Sequence, residues 1–329
     1  MIRSSIKGIG SYVPDKILSN EDLSKIVDTS NDWIVSRTGI KERRIADRNI
    51  KTSDIAAEAS KKALKMANMK PCDIDLLIVG TVTPDMSFPS TSCIVQNNLG
   101  IKKAASFDIS AGCAGFIYSL SVADSLIKSG QFKNALVVGV DVLSKITDYT
   151  DRSTCVLFGD GGGAVVLSSV VDDGSGRGIL STHIHSEGGH DDVLKLPAGG
   201  SSMPASIESI ENHEHYIKMK GVELFKYAVN YLNDAAKEAI EYNNLNPEDI
   251  DLFVPHQANI RIIEATAKKL GFPIEKVFVN VNKYGNTSSG SIPIALDEAY
   301  RSGRIKEGDL VLINAIGAGL TWASSLIRW

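Results

Sequence analysis

The chain has 329 residues, enough for two domains or two similar halves around a large core. Its 43% hydrophobic and 22% charged residues exclude a disordered or fibrous protein, and its net charge of −4 argues against a surface built to bind nucleic acid or membranes. No apolar run approaches the ~20 residues of a membrane span, and the N-terminus has no apolar segment typical of a secretory signal, so we expect a cytoplasmic protein.

Segments typical of strands and of helices alternate along the chain. Short aliphatic runs predict buried strands, and apolar residues at helical spacing predict amphipathic helices. In chain order, the pattern predicts a helix over 53–68, a strand over 76–79, a helix over 115–129, a strand over 135–138, helices over 222–243 and 259–270, and a strand over 310–313. This alternation favours an α/β fold with parallel strands.

The second half of the chain repeats the pattern of the first. The segment DIDLLIV at 73–79 returns as DIDLFVP at 249–255, an offset of 176, and the strand at 134–139 matches 309–314 at an offset of 175. A Ser-Gly pair between these segments recurs at an offset of 173. Helix–turn–strand phrases also recur in α/β proteins without duplication, but matches at nearly one offset indicate two similar halves.

A segment rich in Gly, Ser, His and acidic residues interrupts the repeat. It predicts a bridging region with loops, a short strand around 178–184 and an exposed excursion over 198–215. The expected organisation is a first half over 1–170, a bridging segment over 171–219 and a second half over 220–329.

Cys113 is the candidate nucleophile. It lies at a junction, where a short strand is followed by a run of small residues and then by a helix that begins near Ala114. Unpaired amides and the helix dipole favour a thiolate at such a place, and small neighbours allow a thioester to approach. The alternative is a small cysteine packed under the helix. We interpret the other cysteines as packing residues, in a turn, a helix-like run and a strand-like run respectively: Cys72, Cys93 and Cys155.

Polar residues of the second half occupy places that match the Cys113 segment. His256 ends the second copy of the repeated strand, where α/β folds place reactive groups. Asn286 lies in the counterpart of the Cys113 segment, so the pseudo-symmetry predicts that the two residues face each other with His256 beside them. The turn 317–319 could offer backbone N–H groups to an oxyanion. The alternatives are that His256 caps the next helix, that Asn286 is a plain N-cap and that 317–319 is a simple tight turn.

The sequence contains fragments of nucleotide-binding and metal-binding motifs, but the residues around them do not fit such sites. The segment 159–164 fits G-x-G-x-x-A, but a strand follows it where a dinucleotide site requires a helix. No Gly-Lys-Ser or Gly-Lys-Thr of a phosphate-binding loop occurs. The histidines between 183 and 215 have no Cys or H-E-x-x-H frame, so no metal site is predicted.

Four motifs together resemble the β-ketoacyl-acyl carrier protein synthase III family. They are DISAGCAGF around Cys113, PHQAN around His256, GNTS around Asn286 and the closing GAGLTWASSLIRW from Gly317. The resemblance extends over nearly the whole chain, 6–329. It implies a thiolase-like fold, with two pseudo-symmetric βαβαβαββ halves in a five-layered αβαβα arrangement, and a homodimer.

The resemblance also implies a reaction. Cys113 would take an acyl group from acyl-CoA, while His256 and Asn286 would bind the malonyl thioester oxygen and stabilise the enolate formed on decarboxylation. This carbanion would attack the acyl thioester, with the backbone N–H groups of Cys113 and Ala318 holding the oxyanion. The family usually has three glycines at 317–319, and Ala318 still offers its N–H. Acyl-CoA and malonyl-acyl carrier protein would be the substrates, with no cofactor and no metal.

Further positions match the family's binding surfaces. Trp33, Arg37 and Arg152 match residues that hold the CoA adenine and phosphates, a suitable use of one ring and two guanidinium groups. Phe88 matches a residue that reaches across the dimer to the partner's primer pocket, where a large ring would favour short primers. The positions that match the basic patch for the acidic carrier protein are Lys226, Arg261, Lys268 and Lys269. Without the resemblance, Trp33, Arg37 and Arg152 would be interpreted as core packing and surface charge. The basic residues on the predicted helix would be interpreted as a solvated helix face.

Two other functions stay open at this stage. A relative in secondary metabolism would use CoA thioesters but a different acceptor, and would make no 3-ketoacyl product from malonyl-acyl carrier protein. A thiolase-fold scaffold without activity would not need Cys113, His256 and Asn286 together. A cysteine hydrolase is disfavoured, because no acidic residue of the sequence obviously orients His256.

Overall fold

The computed structural model describes residues 2–172 and 174–329. The strands of its first half are β1 (Ile2–Tyr12), β2 (Ile17–Ser19), β3 (Glu42–Arg44), β4 (Leu76–Gly80), β5 (Ala105–Ile109), β6 (Asn134–Val142) and β7 (Asp160–Val171). The helices of this half are α1 (Asn20–Leu23), α2 (Asn31–Thr38), α3 (Thr52–Ala67), α4 (Thr91–Leu99), α5 (Gly115–Lys128) and α6 (Arg152–Cys155).

The rest of the chain adds a second set of elements. Its strands are β8 (Gly178–Ser186), β9 (Leu194–Lys195), β10 (Lys218–Met219), β11 (Leu252–Pro255), β12 (Leu310–Gly317) and β13 (Thr321–Arg328). Its helices are α7 (Ile207–Glu211), α8 (Gly221–Tyr242), α9 (Ile260–Leu270), α10 (Val281–Tyr284) and α11 (Ser291–Arg301).

Both large sheets have the same strand order. The first runs β1-β7-β6-β4-β5, with β5, β4 and β6 parallel and with β7 and β1 antiparallel. The second runs β8-β13-β12-β11, with β11 and β12 parallel and with β13 and β8 antiparallel. Val277 pairs in parallel with Phe253 of β11, at the place that β5 occupies in the first sheet. The equal order confirms the two similar halves predicted from the repeat.

The sheets and helices stack in five layers. Side chains of one strand point alternately to opposite faces, so Leu76 and Ile78 of β4 join the central core with α5 and α11, while Leu77 and Val79 join an outer core with α3. The second sheet does the same, with α8 and α9 against its outer face. The thiolase-like αβαβα arrangement is confirmed.

Most predicted elements agree closely with the structure. The helices predicted over 53–68, 115–129, 222–243 and 259–270 match α3, α5, α8 and α9 to within one residue at each end. The predicted strands are also present, and β6 and β12 extend beyond the predicted bounds.

The cysteine assignments were partly wrong. Cys155 ends the short helix α6 instead of lying in a strand, because the Asp151 side chain caps that helix by accepting from the Ser153 backbone N–H. Cys72 and Cys93 are exposed and are not packing residues, whereas Cys155 is buried.

The bridging segment contains strands and a short helix in addition to its loops. The strand expected around 178–184 is β8, which pairs with β13 and is the edge of the second sheet. After it, β9, α7 and β10 form an excursion over 194–219 whose two short strands pair with each other. The half boundaries at 170 and 220 stay predictions, while sheet membership assigns β8 to the second half.

We expect Gly139→Ala to destabilise the protein by ~1–3 kcal/mol, the usual cost of forcing a methyl group into a packed interior. A Cβ atom at Gly139 of β6 would overlap the Ser289 carbonyl oxygen of the other half. Urea unfolding measures the change. Gly200→Ala is the control, because its Cβ atom would meet open space; an equal loss in both variants would contradict the close approach.

Candidate active site

Cys113 lies between β5 and α5 and is buried, with 8% of its surface exposed. Burial raises the pKa of its thiol to about 12, while the Ser288 hydroxyl group opposes this increase and the Asp141 carboxylate adds to it. The thiolate expected from the sequence is therefore not the resting form at neutral pH, because burial outweighs the helix N-terminus.

Two glycine turns interlock beside Cys113. A Cβ atom on Gly317 would overlap the Cys113 backbone nitrogen, and one on Gly112 would overlap the Ala318 backbone nitrogen. Only glycine permits backbones to approach so closely. The two backbone nitrogens proposed as oxyanion donors thus lie in one place, contributed by the two halves.

Asn286 follows α10 and is held by the backbone of the first half. Its N–H donates to the Leu157 carbonyl oxygen at 2.8 Å, and its carbonyl oxygen accepts from the Gly159 N–H at 3.0 Å. Its side-chain Oδ1 accepts from the Ser288 backbone N–H at 2.8 Å. Since that bond occupies Oδ1, the Nδ2 amide is the group that can donate to a substrate oxygen.

His256 follows β11 and has 3% of its surface exposed. Its Nδ1 lies 2.6 Å from the Ser291 Oγ, which also accepts from the Gln257 backbone N–H at 3.4 Å. A Ser291 hydroxyl proton donated to Nδ1 would leave the ring proton on Nε2. Burial lowers the pKa of His256 to about 4, so the ring is neutral at pH 7.

The turn that follows Asn286 joins the catalytic candidates of both halves. Its Ser288 lines the same cavity as Cys113, and its Ser291 contacts His256. Contacts of this segment thus link Asn286 to the Cys113 cavity through Ser288 and bring Ser291 against His256, while the joint action of Cys113, His256 and Asn286 stays a prediction.

Asp141 fixes this turn against the first half. The carboxylate is fully buried in β6, and one of its oxygens accepts four hydrogen bonds of 2.8–3.1 Å from residues 81–83, after β4. Its other oxygen accepts from the Ser289 backbone N–H at 3.1 Å. Burial raises the pKa of Asp141, and these hydrogen bonds oppose the increase. Asp141 therefore positions the site without being part of the predicted set.

An apolar cavity of about 220 Å³ opens beside Cys113. Ala318 and Ser288 lie on it, and its remaining wall is almost entirely aliphatic or aromatic. The side chains that form this wall are Val82, Leu143, Ile146, Phe158, Leu194, Leu196 and Ile217. Such a cavity suits a short hydrocarbon chain attached to the Cys113 sulfur.

The three residues predicted to hold CoA form one cluster. The guanidinium carbons of Arg37 and Arg152 lie 5.1 and 4.9 Å from the centre of the Trp33 ring. Arg152 also donates to the Asp28 carbonyl oxygen at 3.0 Å. Cation–π contact preorganises the two cations around one aromatic face.

The four residues predicted for carrier-protein docking are exposed on the outer layer formed by α8 and α9. The Arg261 guanidinium carbon lies 5.8 Å from the centre of the Phe225 ring, and Lys269 donates to the Asn230 side chain at 2.8 Å. Within residues 2–172 and 174–329, none of the four forms an ion pair with a carboxylate: Lys226, Arg261, Lys268 and Lys269. Their charges are thus left for a partner.

Phe88 lies away from the Cys113 cavity of its own chain, and 85% of its surface is exposed. The structure does not place it at the site, so any role requires a second chain.

In the described part of the chain, no group of three His, Cys, Asp or Glu side chains is arranged to hold a metal ion.

Several residues that organise the site were missed in the sequence. Asp141 does have a signal, since it is the one charged residue in the apolar run ALVVGVDVL over 135–143, and a charge in a buried strand requires partners. Ser291 has no such signal, because its partner His256 is 35 residues away. The cavity wall also draws on distant segments.

Two halves of equal strand order that meet at interlocked backbone turns have the architecture of the thiolase fold. The class is therefore that of the thiolase-fold condensing enzymes. The sequence profile of 3-oxoacyl-[acyl-carrier-protein (ACP)] synthase III matches residues 107–188, and the profile of its C-terminal part matches 240–329. The chain belongs to this family, the β-ketoacyl-[acyl-carrier-protein] synthases III, which are acyltransferases.

Similar proteins extend over the whole chain. A β-ketoacyl-[acyl-carrier-protein] synthase III of Caldanaerobacter subterraneus subsp. tengcongensis is 57% identical over 100% of this chain and 98% of the relative. One of Clostridioides difficile is 50% identical over 99% of this chain and 98% of the relative. The crystal structure of 3-oxoacyl-[acyl-carrier-protein] synthase III from Aquifex aeolicus has a TM-score of 0.91 at 50% identity, with 99% of this chain and 100% of the other covered.

Among residues 2–172 and 174–329, no helix combines the length and apolar character that crossing a bilayer requires.

The low pKa of His256 predicts a pH-dependent stability. The folded state keeps this ring neutral down to about pH 4, whereas an unfolded histidine binds a proton below about pH 6.5. The contribution is therefore complete above pH 6.5 and is lost as the pH falls towards 4. We expect the unfolding free energy of the wild type to fall more steeply over this range than that of His256→Asn, by up to about 1.4 kcal/mol per pH unit.

Urea unfolding at pH 7, 5.5 and 4.5 measures this difference. His215→Asn, which removes a half-buried histidine outside the site, is the control. Parallel loss of stability in the wild type and His256→Asn would contradict a neutral buried His256.

Proposed function

We propose that this chain condenses an acyl-CoA primer with malonyl-acyl carrier protein, with loss of CO2, and so initiates fatty acid biosynthesis. The products are 3-ketoacyl-acyl carrier protein, CoA and CO2. The observation that carries the proposal is Cys113 at the side of an apolar cavity large enough for a short acyl chain. Full-length relatives named for this activity support it, and they favour it over a scaffold or a different acceptor.

The first half-reaction acylates Cys113. Its sulfur bonds to the acyl carbonyl carbon, the bond between that carbon and the CoA sulfur breaks, and the Cys113 proton ends on CoA. The backbone N–H groups of Cys113 and Ala318 donate to the tetrahedral oxyanion. Because burial raises the thiol pKa to about 12, substrate binding must help to remove the proton.

The second half-reaction uses the donors of the second half. Nε2–H of His256 and Nδ2–H of Asn286 donate to the malonyl thioester oxygen, on which negative charge develops as the C–C bond to CO2 breaks. The resulting carbanion bonds to the acyl carbon on Cys113, and the sulfur leaves and regains a proton from solvent. A neutral histidine suits this role, since it donates a hydrogen bond without trapping the enolate as a charged pair.

The cluster of Trp33, Arg37 and Arg152 holds the CoA nucleotide in this proposal. The ring offers a face for adenine, and the two guanidinium groups pair with phosphates. Its preformed geometry, with both cations within 5.1 Å of the ring centre, supports the assignment.

Lys226, Arg261, Lys268 and Lys269 dock the acyl carrier protein. An acidic partner would pair with these four cations, which form no ion pair in the part of the chain that the structure describes, and such complementarity accelerates encounter at low salt. Their common place on α8 and α9 supports one continuous surface.

We also propose a homodimer in which Phe88 completes the partner's primer pocket. A phenylalanine with 85% of its surface exposed supports a covered state, because large apolar groups on a surface favour association. No cofactor and no metal enter either half-reaction, and the cytoplasmic location stays a prediction.

Acyl transfer can be tested directly. We expect the wild type, but not Cys113→Ala, to gain the mass of one acyl group on incubation with a panel of acyl-CoAs, read by intact-protein mass spectrometry. Cys155→Ala, which removes the other buried thiol, is the control and should still be acylated. No acylation by any acyl-CoA would overturn the proposed function.

The condensation donors can be separated from acylation. We expect His256→Ala and Asn286→Ala to lower decarboxylation of malonyl-acyl carrier protein by roughly 100-fold or more while Cys113 is still acylated. Ser291→Ala should lower it by about 10-fold, the value of one lost hydrogen bond to the ring. Release of CO2 from labelled malonyl-acyl carrier protein measures both. Acylation without any 3-ketoacyl product in the wild type would favour the secondary-metabolism alternative.

A further inference from the structure

The acyl cavity has two walls that come from separate parts of the chain. Leu143 and Ile146 belong to a short helical turn of the first half, and Leu194, Leu196 and Ile217 belong to the excursion over 194–219. Nothing in the catalytic machinery fixes the distance between these walls. The contacts between the excursion and the turn must therefore determine how wide the cavity is.

Two polar contacts join these walls. The Ile217 backbone N–H donates to the Ile146 carbonyl oxygen at 2.9 Å. Farther from the cavity, Nδ1 of His213 lies 2.7 Å from a carboxylate oxygen of Asp148. The first contact holds the base of the excursion, and the second holds its returning arm against the end of the turn.

The surroundings of Asp148 favour its contact with His213. Its side chain is only 10% exposed, while that of His213 is 48% exposed. Burial opposes ionisation of Asp148, but hydrogen bonds from Thr150 and His213 outweigh it and lower the pKa to about 2. One carboxylate oxygen accepts from the Thr150 N–H and hydroxyl group, which leaves the other for His213.

The backbone at His213 gives a second indication. Its φ of 58° is in the left-handed region just after α7, where helices most often end with glycine or asparagine. A histidine is less favourable there, and it supplies the side chain that reaches Asp148. The geometry thus favours a role for this side chain over local backbone preference.

We propose that the pair Asp148–His213 fixes the width of the acyl cavity and is a specificity-determining contact for the acyl primer. The inference rests on the proposed function for its substrate class, a CoA thioester of a short hydrocarbon chain. His213 does not touch the substrate; it is a positioning residue that acts through the Leu194, Leu196 and Ile217 wall.

Two substitutions separate the contact from the backbone. His213→Gly suits the left-handed φ and removes the side chain. His213→Asn also tolerates this φ and keeps a nitrogen at the position of Nδ1, so it should preserve the hydrogen bond. Both variants should fold, because the His213 side chain is half-exposed.

The first measurement compares acylation of Cys113 by acetyl-CoA and hexanoyl-CoA. We expect His213→Gly to raise the rate with hexanoyl-CoA relative to acetyl-CoA by about 3- to 5-fold, the range for loss of one side-chain hydrogen bond. His213→Asn should keep the wild-type ratio. A purely structural loss would lower both rates together and leave the ratio unchanged, which would overturn the proposal.

The second measurement does not require activity. Cys113 is alkylated with iodoacetamide and with its N-hexyl derivative, and the rates are read by peptide mass spectrometry, with exposed Cys72 as the internal reference. We expect the same shift towards the hexyl reagent at Cys113 in His213→Gly alone. An unchanged ratio would overturn the role of the pair, whereas a wild type that no acyl-CoA acylates would overturn the proposed function instead.

Discussion

The structure depends on one buried carboxylate. Asp141 is fully shielded from solvent, where an unpaired charge would cost several kcal/mol. Donors from residues 81–83 and from Ser289 satisfy it, and they come from the first and the second half respectively. Because this carboxylate is satisfied only when both sets of donors meet, it fixes the arrangement of the halves and the turn that carries Asn286.

Close approach of the halves sets the chemistry of the site. The interlocked turns at Gly112 and Gly317 bring the backbones of the two halves together, and both Cys113 and His256 are buried. Burial favours the uncharged form of both groups. It raises the pKa of Cys113 to about 12 and lowers the pKa of His256 to about 4. In the proposed reaction, the resting site therefore contains uncharged hydrogen-bond donors and a protonated nucleophile, and charge develops only on the substrates.

Much of this could be predicted from the sequence, because the signals are local. The helices α3, α5, α8 and α9 carry apolar stripes that periodicity records, and the repeat revealed the pseudo-symmetry. Cys113, His256 and Asn286 could be singled out because each ends or begins a repeated element. Asp141 and Ser291 were missed because they act through partners 148 and 35 residues away, and such contacts exist only after folding.

The excursion over 194–219 is held to the first half differently from the way in which the two halves are held together around Cys113. Within the interface, each group shares several short contacts, so a change at Ser289 or Gly317 disturbs many others. The excursion instead meets the first half through apolar packing around the cavity, a backbone hydrogen bond and the His213–Asp148 hydrogen bond. On the proposed function, changes in the excursion would alter which acyl chain fits without moving Cys113, and bond formation and primer choice would reside in separable parts of one chain.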